Sequence, residues 1–370
     1  MKSHSSDKSN TIGIAVAGLG FGESVHIPAL KANSQAELIS LWHHRKERLI
    51  ELSEKHMITT TSNWNDLINN PSVQGIIIAT PPQPRYKLAY EALNAGKHLL
   101  LEKPVALSSE EIEELQKLAI NKRLSVAVDF EYRAVPLFMQ AKRLIERNLL
   151  GDIWLVKLDW LMSSRANKSR PWNWYSEVEK GGGVLGALGT HAFDIIHWLI
   201  GPTESISAIS STSIKERIEP ETGQKRPVSS EDVVLAQMML NEQNSQNKIP
   251  CQVSISSVAR EGRGCWLEVY GSKGTLKLGS ENQTDYVHGF GLWLTEVGDK
   301  SKSITADNDL QFNKTWTDGR IAPVSRLQSW WLESIKNGNP IVPGLAEGFN
   351  SQRVCELAID SAQHGQRLFI

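Results

Sequence analysis

Cysteine is scarce in this chain of 370 residues: Cys251, Cys265 and Cys355 are the full set. An odd count without metal-ligand spacing argues against a disulfide framework or a thiolate metal site, and suits reduced core thiols in a cytoplasmic protein. Excess charge of one sign is missing too. With 40 Lys+Arg against 41 Asp+Glu, the basic face of a nucleic-acid binder is not expected. No apolar run approaches the roughly 20 residues a membrane-spanning helix needs. Residues 1–10 are polar, lack an apolar h-region and read as a loose tail rather than a signal peptide. What remains, 40% hydrophobic and 22% charged, suits a globular protein, and the length suits two domains.

The first 130 residues alternate short apolar strands with helices. Strands are expected over Thr11–Ala17, Leu38–Trp42, Gly75–Ala79, His98–Leu101 and Ser125–Phe130. Helices are expected up to Leu30, over Lys46–His56 and Tyr86–Ala95, and after the capping box Ser108/Glu111. Continuous β-branched runs of this kind predict a parallel, doubly wound sheet covered on both faces. After residue 130 a helix over Val135–Asn148 is followed by separated strands with few helices between them. Helices return at Arg326–Asn337 and Ala346–His364. The expected fold is therefore α/β: a Rossmann domain over 11–130, then an α+β domain over 131–370 with an open, mostly antiparallel sheet.

Gly18, Gly20 and Gly22 follow the first strand directly, with Phe21 between them, and open a helix. Gly18 permits the turn, Gly20 lets a pyrophosphate approach the backbone, and the helix start offers unpaired N–H groups. The third fingerprint position, which packs helix against strand, is Glu23 rather than Gly or Ala. An NAD site places a carboxylate after the second strand to bind the adenine ribose. Here that strand runs into His43, His44, Arg45 and Lys46, which suit a 2′-phosphate better, so NADP is expected ahead of NAD.

Five stretches, in order, carry a resemblance: GLGFGESVHIPAL (18–30), GIIIATPP (75–82), AGKHLLLEKPVAL (95–107), GGGVLGALGTHAFDIIHWLIG (181–201) and VYGSKGTL (269–276). The chain resembles the Gfo/Idh/MocA oxidoreductases. The resemblance implies that Thr80, Pro81, Pro82, Glu102, Lys103 and Pro104 line the cofactor. It also implies that Lys103 acts as acid/base, that His191 is the catalytic or substrate-binding histidine, and that Arg133 lies near the substrate. Arg85 stands near a position where family members carry a histidine and would add a cation.

Inositol-dehydrogenase-like members carry an Asp one turn before that histidine, where this chain has Ala187. On a regular helix Asp194 shares a stripe with His191, and is expected to orient it instead. A free imidazole near pKa 6.5 could give or take a proton at cellular pH. The loop from Arg165 to Tyr175, with Trp172 and Trp174, suits a sugar or polyol pocket or a protein interface, with core packing third. Trp42, Trp154, Trp160 and Trp266 are expected in the core.

The function implied is NAD(P)-dependent hydride transfer on a sugar or polyol, by a homodimer or homotetramer, with no metal, nucleic acid or membrane. A dinucleotide-binding sensor without chemistry and an NAD(P)-using glycosidase are the alternatives.

Overall fold

Strands with no polar alternation need cover on both faces, and Ile12–Ala17, Gly75–Ile78, His98–Leu101 and Val126–Val128 have it. A computed structural model describes residues 11–243, 247–282 and 286–370; the expected tail over 1–10 lies outside these. In the first half β1 (Ile12–Ala17), β2 (Ala36–Trp42), β3 (Thr59–Thr61), β4 (Gly75–Ile78), β5 (His98–Leu101) and β6 (Val126–Val128) form one parallel sheet. Its order is β3-β2-β1-β4-β5-β6. Strand order reverses between β1 and β4, which in such sheets leaves a crevice at the carboxyl ends of the strands.

Glu23 points away from the sheet, to Arg48 at 2.9 Å and Lys55 at 2.6 Å. Gly22 takes over the close approach: a Cβ built on it would lie 3.2 Å from Val16 and 3.4 Å from Ala79. The helix here opens with a π-helical turn over Gly22–His26 before the α-helix Ile27–Lys31. At the helix Ser109–Lys122 the Ser108 hydroxyl accepts from the Glu111 N–H, as the capping box requires. The Glu111 carboxylate, however, takes the N–H of Leu107 at 3.0 Å.

The second half contains β7 (Ile153–Leu161), β8 (Thr203–Ser211), the ribbon β9 (Glu216–Ile218) with β10 (Lys225–Pro227), and β11 (Val233–Asn241). It continues through β12 (Lys248–Ser256), β13 (Gly264–Gly271), β14 (Gly274–Ser280), β15 (Gly291–Glu296), β16 (Lys302–Ser303) and β17 (Leu368–Phe369). Nine of these make a mixed sheet, β16-β15-β14-β13-β7-β12-β11-β8-β17, antiparallel except at β7–β12. In β11 Val234, Ala236, Met238 and Leu240 are buried while Leu235 and Gln237 are exposed, so one face is covered and the other open. The helices Pro136–Glu146, Thr190–Leu199 and Leu345–His364 supply that cover through residues such as Phe138, Phe193 and Val354. Trp42 and Trp160 are buried as expected, whereas Trp154 is 62% exposed. A register shift opposite Tyr270 and Gly271 leaves Trp154 unpaired in the ladder and breaks the alternation there. Trp266, only half-buried, stacks on Trp293. All three cysteines are free and buried, and burial raises their thiol pKa values.

The helix Ile321–Asn337 starts five residues before the expected Arg326 and packs on the first sheet. Trp331 is fully buried there in space that Gly75 leaves: a Cβ on Gly75 would fall 2.8 Å from Ile14 and 2.9 Å from Trp331. Trp331→Ala is expected to cost about 3–5 kcal/mol of unfolding free energy in urea denaturation. A loss below about 1 kcal/mol would show that this helix is not needed to cover the sheet.

Candidate active site

Gly18 takes φ +92°, and a Cβ on it would strike the backbone of Ala79 and Thr80 at 2.5–2.6 Å. Above Gly20 nothing lies within 4 Å, so the backbone is left open to a ligand where a pyrophosphate was expected. From this cradle a cavity of about 1060 Å³ runs past Trp42, His43 and Arg45 on one side. On the other it passes Thr80–Pro82 and Glu102–Pro104 to Glu131, Tyr132, Arg165, Trp174, Tyr175, Ala187 and His191. Phe21 lines it under the Arg320 guanidinium, 5.2 Å from its ring centroid.

Arg85 sets the loops at this edge. Fully buried, it donates from Nη1 to the carbonyls of Glu102 (2.6 Å) and Pro104, and from Nη2 to that of Thr80. Burial lowers its pKa to about 10, so it remains a cation at neutral pH. It acts as a clamp between two loops rather than as an extra charge offered to a ligand.

Lys103 Nζ donates to the Ala187 carbonyl at 2.8 Å. The position without a side-chain carboxylate therefore still touches the lysine, through its backbone. His191 Nε2 stands 3.5 Å from Glu131 Oε2, and its Nδ1 is buried without a partner. Burial and the Lys103 charge push the imidazole well below its ordinary range, so it is neutral rather than half-protonated at cellular pH. Burial lifts the Glu131 carboxyl to about 7 against the Lys103 charge.

Beneath them His26 Nε2 meets Glu102 Oε1 at 2.9 Å and Asp129 Oδ2 at 3.5 Å. Burial alone would raise Glu102, but the His26 hydrogen bond and the nearby charges hold it down at about 2. Burial and the charges of Glu102 and Glu131 raise Asp129 well above the carboxylate range. The three groups bring ligand-type atoms within 4.8 Å of one another. Both Asp129 oxygens are buried without a hydrogen-bond partner among the described residues.

The expected partnership of Asp194 with His191 is not formed. Arg133 takes Asp194 in a buried fork, Nε to Oδ2 at 2.8 Å and Nη2 to Oδ1 at 2.6 Å. The helix also begins irregularly, with a π-helical turn over Leu185–Gly189, so even spacings before Thr190 do not make one stripe. Arg133 thus braces the wall rather than lining the cavity. Trp172 lies outside the lining as well: its Nε1 donates to the Pro227 carbonyl and the Arg226 guanidinium covers its ring. Gly22 and Lys46 are likewise not among the lining residues. Glu131 was missed. Its only signal was a charged run, Asp129, Glu131 and Arg133, just past the carboxyl end of β6, where such sheets bind ligands.

Residues 12–130 match the model of an oxidoreductase family's NAD-binding Rossmann fold, and 142–370 its C-terminal alpha/beta domain. The chain belongs to the Gfo/Idh/MocA oxidoreductase family. An uncharacterized oxidoreductase of Synechocystis sp. is 43% identical over 96% of this chain and 95% of its own. Levoglucosan dehydrogenase of Pseudarthrobacter phenanthrenivorans is 28% identical over 61% of this chain and 60% of its own. Among solved structures, a levoglucosan dehydrogenase with NADH and L-sorbose superposes with TM-score 0.85 at 22% identity, covering 97% of this chain and 99% of its own. In this Gfo/Idh/MocA chain, no helix among the described residues is long and apolar enough to cross a membrane.

Asp194→Asn would leave the buried Arg133 guanidinium without its counter-charge, at a cost of about 3–5 kcal/mol in urea denaturation. A cost under about 1 kcal/mol would mean that the pair is not a structural brace.

Proposed function

We propose that the chain is an NADP(H)-preferring dehydrogenase or reductase acting on a CH–OH or C=O group of a sugar-like or polyol substrate. Residues 11–130 would form its dinucleotide half and 131–370 its substrate half. The open sheet face around Trp154 would serve a homodimer or homotetramer. One observation carries the reading: Lys103 from the first half and His191 from the second line the same cavity as the Gly18–Gly20 cradle. A nucleotide-binding first half and dehydrogenase relatives support it.

The open backbone at Gly20 and the loops joined by Arg85 fit a dinucleotide. Gly18, Gly20, Phe21, Thr80–Pro82 and Glu102–Pro104 would hold it, with His43 and Arg45 towards the adenosine ribose. When bound, the nicotinamide supplies the hydride chemistry. The protein's share is one proton and the substrate's orientation. Ala187 takes one of the three N–H donors of an ammonium at Lys103, and the others can meet the substrate oxygen. Neutral His191 lines the cavity and can hold a substrate hydroxyl through its imidazole. Glu131, poised near 7 beside both, would relay the proton.

The test is turnover of a sugar and polyol panel with NADP and NAD, with dinucleotide affinity measured in parallel. Lys103→Met should lower turnover by about a thousandfold while dinucleotide binding stays measurable, and NADP should bind at least about tenfold tighter than NAD. Near-normal turnover in the variant, or clearly tighter NAD binding, would overturn the matching part. Glu131 adds a pH signature. Its ionised form accepts the proton, so oxidative turnover should rise as pH passes through about 7. Glu131→Gln should flatten that limb and lose about a hundredfold in kcat. An unchanged pH profile would remove Glu131 from the relay.

A further inference from the structure

Among the described residues, the arginines withdrawn from solvent around the cavity have acceptors for their guanidinium groups, with an exception on the cavity wall. Arg133 has Asp194, Arg85 has its carbonyls, and Arg320 is held by Asp318 at 2.8 and 2.6 Å. Arg217 donates to the carbonyls of Asn167, Arg170 and Arg165. Arg165 differs. Its Nη1 is buried and lacks any hydrogen-bond partner, and the guanidinium forms no ion pair among the described residues. Two of its charged neighbours, Arg170 and Arg217, share its sign, and burial already lowers its pKa to about 10. A cation placed like this is costly unless something negative comes to it.

The side chain is also fixed in place. Its guanidinium carbon lies over the Tyr175 ring, 3.5 Å from the centroid. Its backbone N–H donates to the Ser257 carbonyl at 2.8 Å, and its carbonyl accepts from Arg217 at 2.7 Å. Stacking uses the face of a guanidinium and leaves its edge, the part that grips a carboxylate or phosphate by two parallel hydrogen bonds. Arg165, Trp174 and Tyr175 reach the cavity from the second half, whereas the glycine cradle and the His43–Arg45 turn belong to the first. The dinucleotide phosphates already have their place in that cradle.

We propose that Arg165 binds an anionic substituent, carboxylate or phosphate, carried by the substrate, so that the preferred substrates are acidic sugars or sugar phosphates rather than neutral ones. The identity of the ligand as a substrate rests on the oxidoreductase reading; its charge rests on Arg165.

Calorimetric titration of the full-length, dinucleotide-loaded protein tests this with neutral aldoses against matching uronates, aldonates and sugar phosphates at constant ionic strength. At least one charged member should bind about tenfold or more tighter than its neutral counterpart, and the carboxylate and phosphate arms show which anion is meant. Arg165→Met should bring that ratio to about one while leaving dinucleotide affinity in place; Arg165→Lys, which keeps charge without the fork, should fall between. If the Met variant does not fold, the Lys variant carries the comparison. No preference for charge in the native protein, a preference that survives both substitutions, or a loss of dinucleotide affinity instead would overturn the proposal. Charge-dependent binding without turnover of any panel member would overturn the oxidoreductase reading alone. Turnover of neutral sugars with no charge preference in binding would overturn this proposal alone.

Discussion

The site depends on one buried guanidinium. Arg85 joins the carbonyls of Thr80, Glu102 and Pro104, which end two neighbouring strand-to-helix connections. Backbone carbonyls at such ends would otherwise need water or lose a partner. One cation satisfies all three and ties the loops at a fixed spacing, with Lys103 held between two of the clamped residues. No side chain lacking a rigid, many-donor fork could do this; a lysine offers a point charge on a flexible stem. The reach of Lys103 to Ala187, across to the other half, follows from that spacing.

Below the clamp lies an acid-rich floor that would be untenable if every group were ionised. The His26 hydrogen bond holds Glu102 down at about 2, while burial and neighbouring carboxylates raise Asp129 well above the carboxylate range and burial lifts Glu131 to about 7. Carboxyls crowded in a dry place separate into one strong and one weak acid. The same burial keeps His191 neutral. The charge states of these buried groups are therefore set by what surrounds them more than by their own chemistry.

Much of this was legible in the residues. The alternation of short apolar runs and helices marked the doubly wound sheet, and Gly18, Gly20 and Lys103 line one cavity at its edge. Motifs of this kind are local: glycine turns and strand ends need only their neighbours in the chain. The failures share the opposite property. Asp194 could be assigned to His191 only on a regular helix, and nothing local shows that Arg133, 61 positions away, reaches it first. Trp154 looked like core because a bulge depends on the partner strand. Glu131 carried little signal, since its raised pKa arises from burial and from distant charges. The strands β3, β9, β10, β16 and β17 are too short for periodicity to register.

Trp331 carries a further consequence. Together with Leu327 and Leu332 it covers the face of the first sheet that holds Ile12, Ile14, Val16, Ile77 and Leu100. These residues precede their cover by more than 200 positions in the chain and are made well before it. A nascent chain thus waits with an apolar face bare until those later residues emerge, the period in which chaperones find their clients. For the same reason, cutting the gene at the end of the nucleotide-binding half would yield a sticky fragment and not a miniature of the protein.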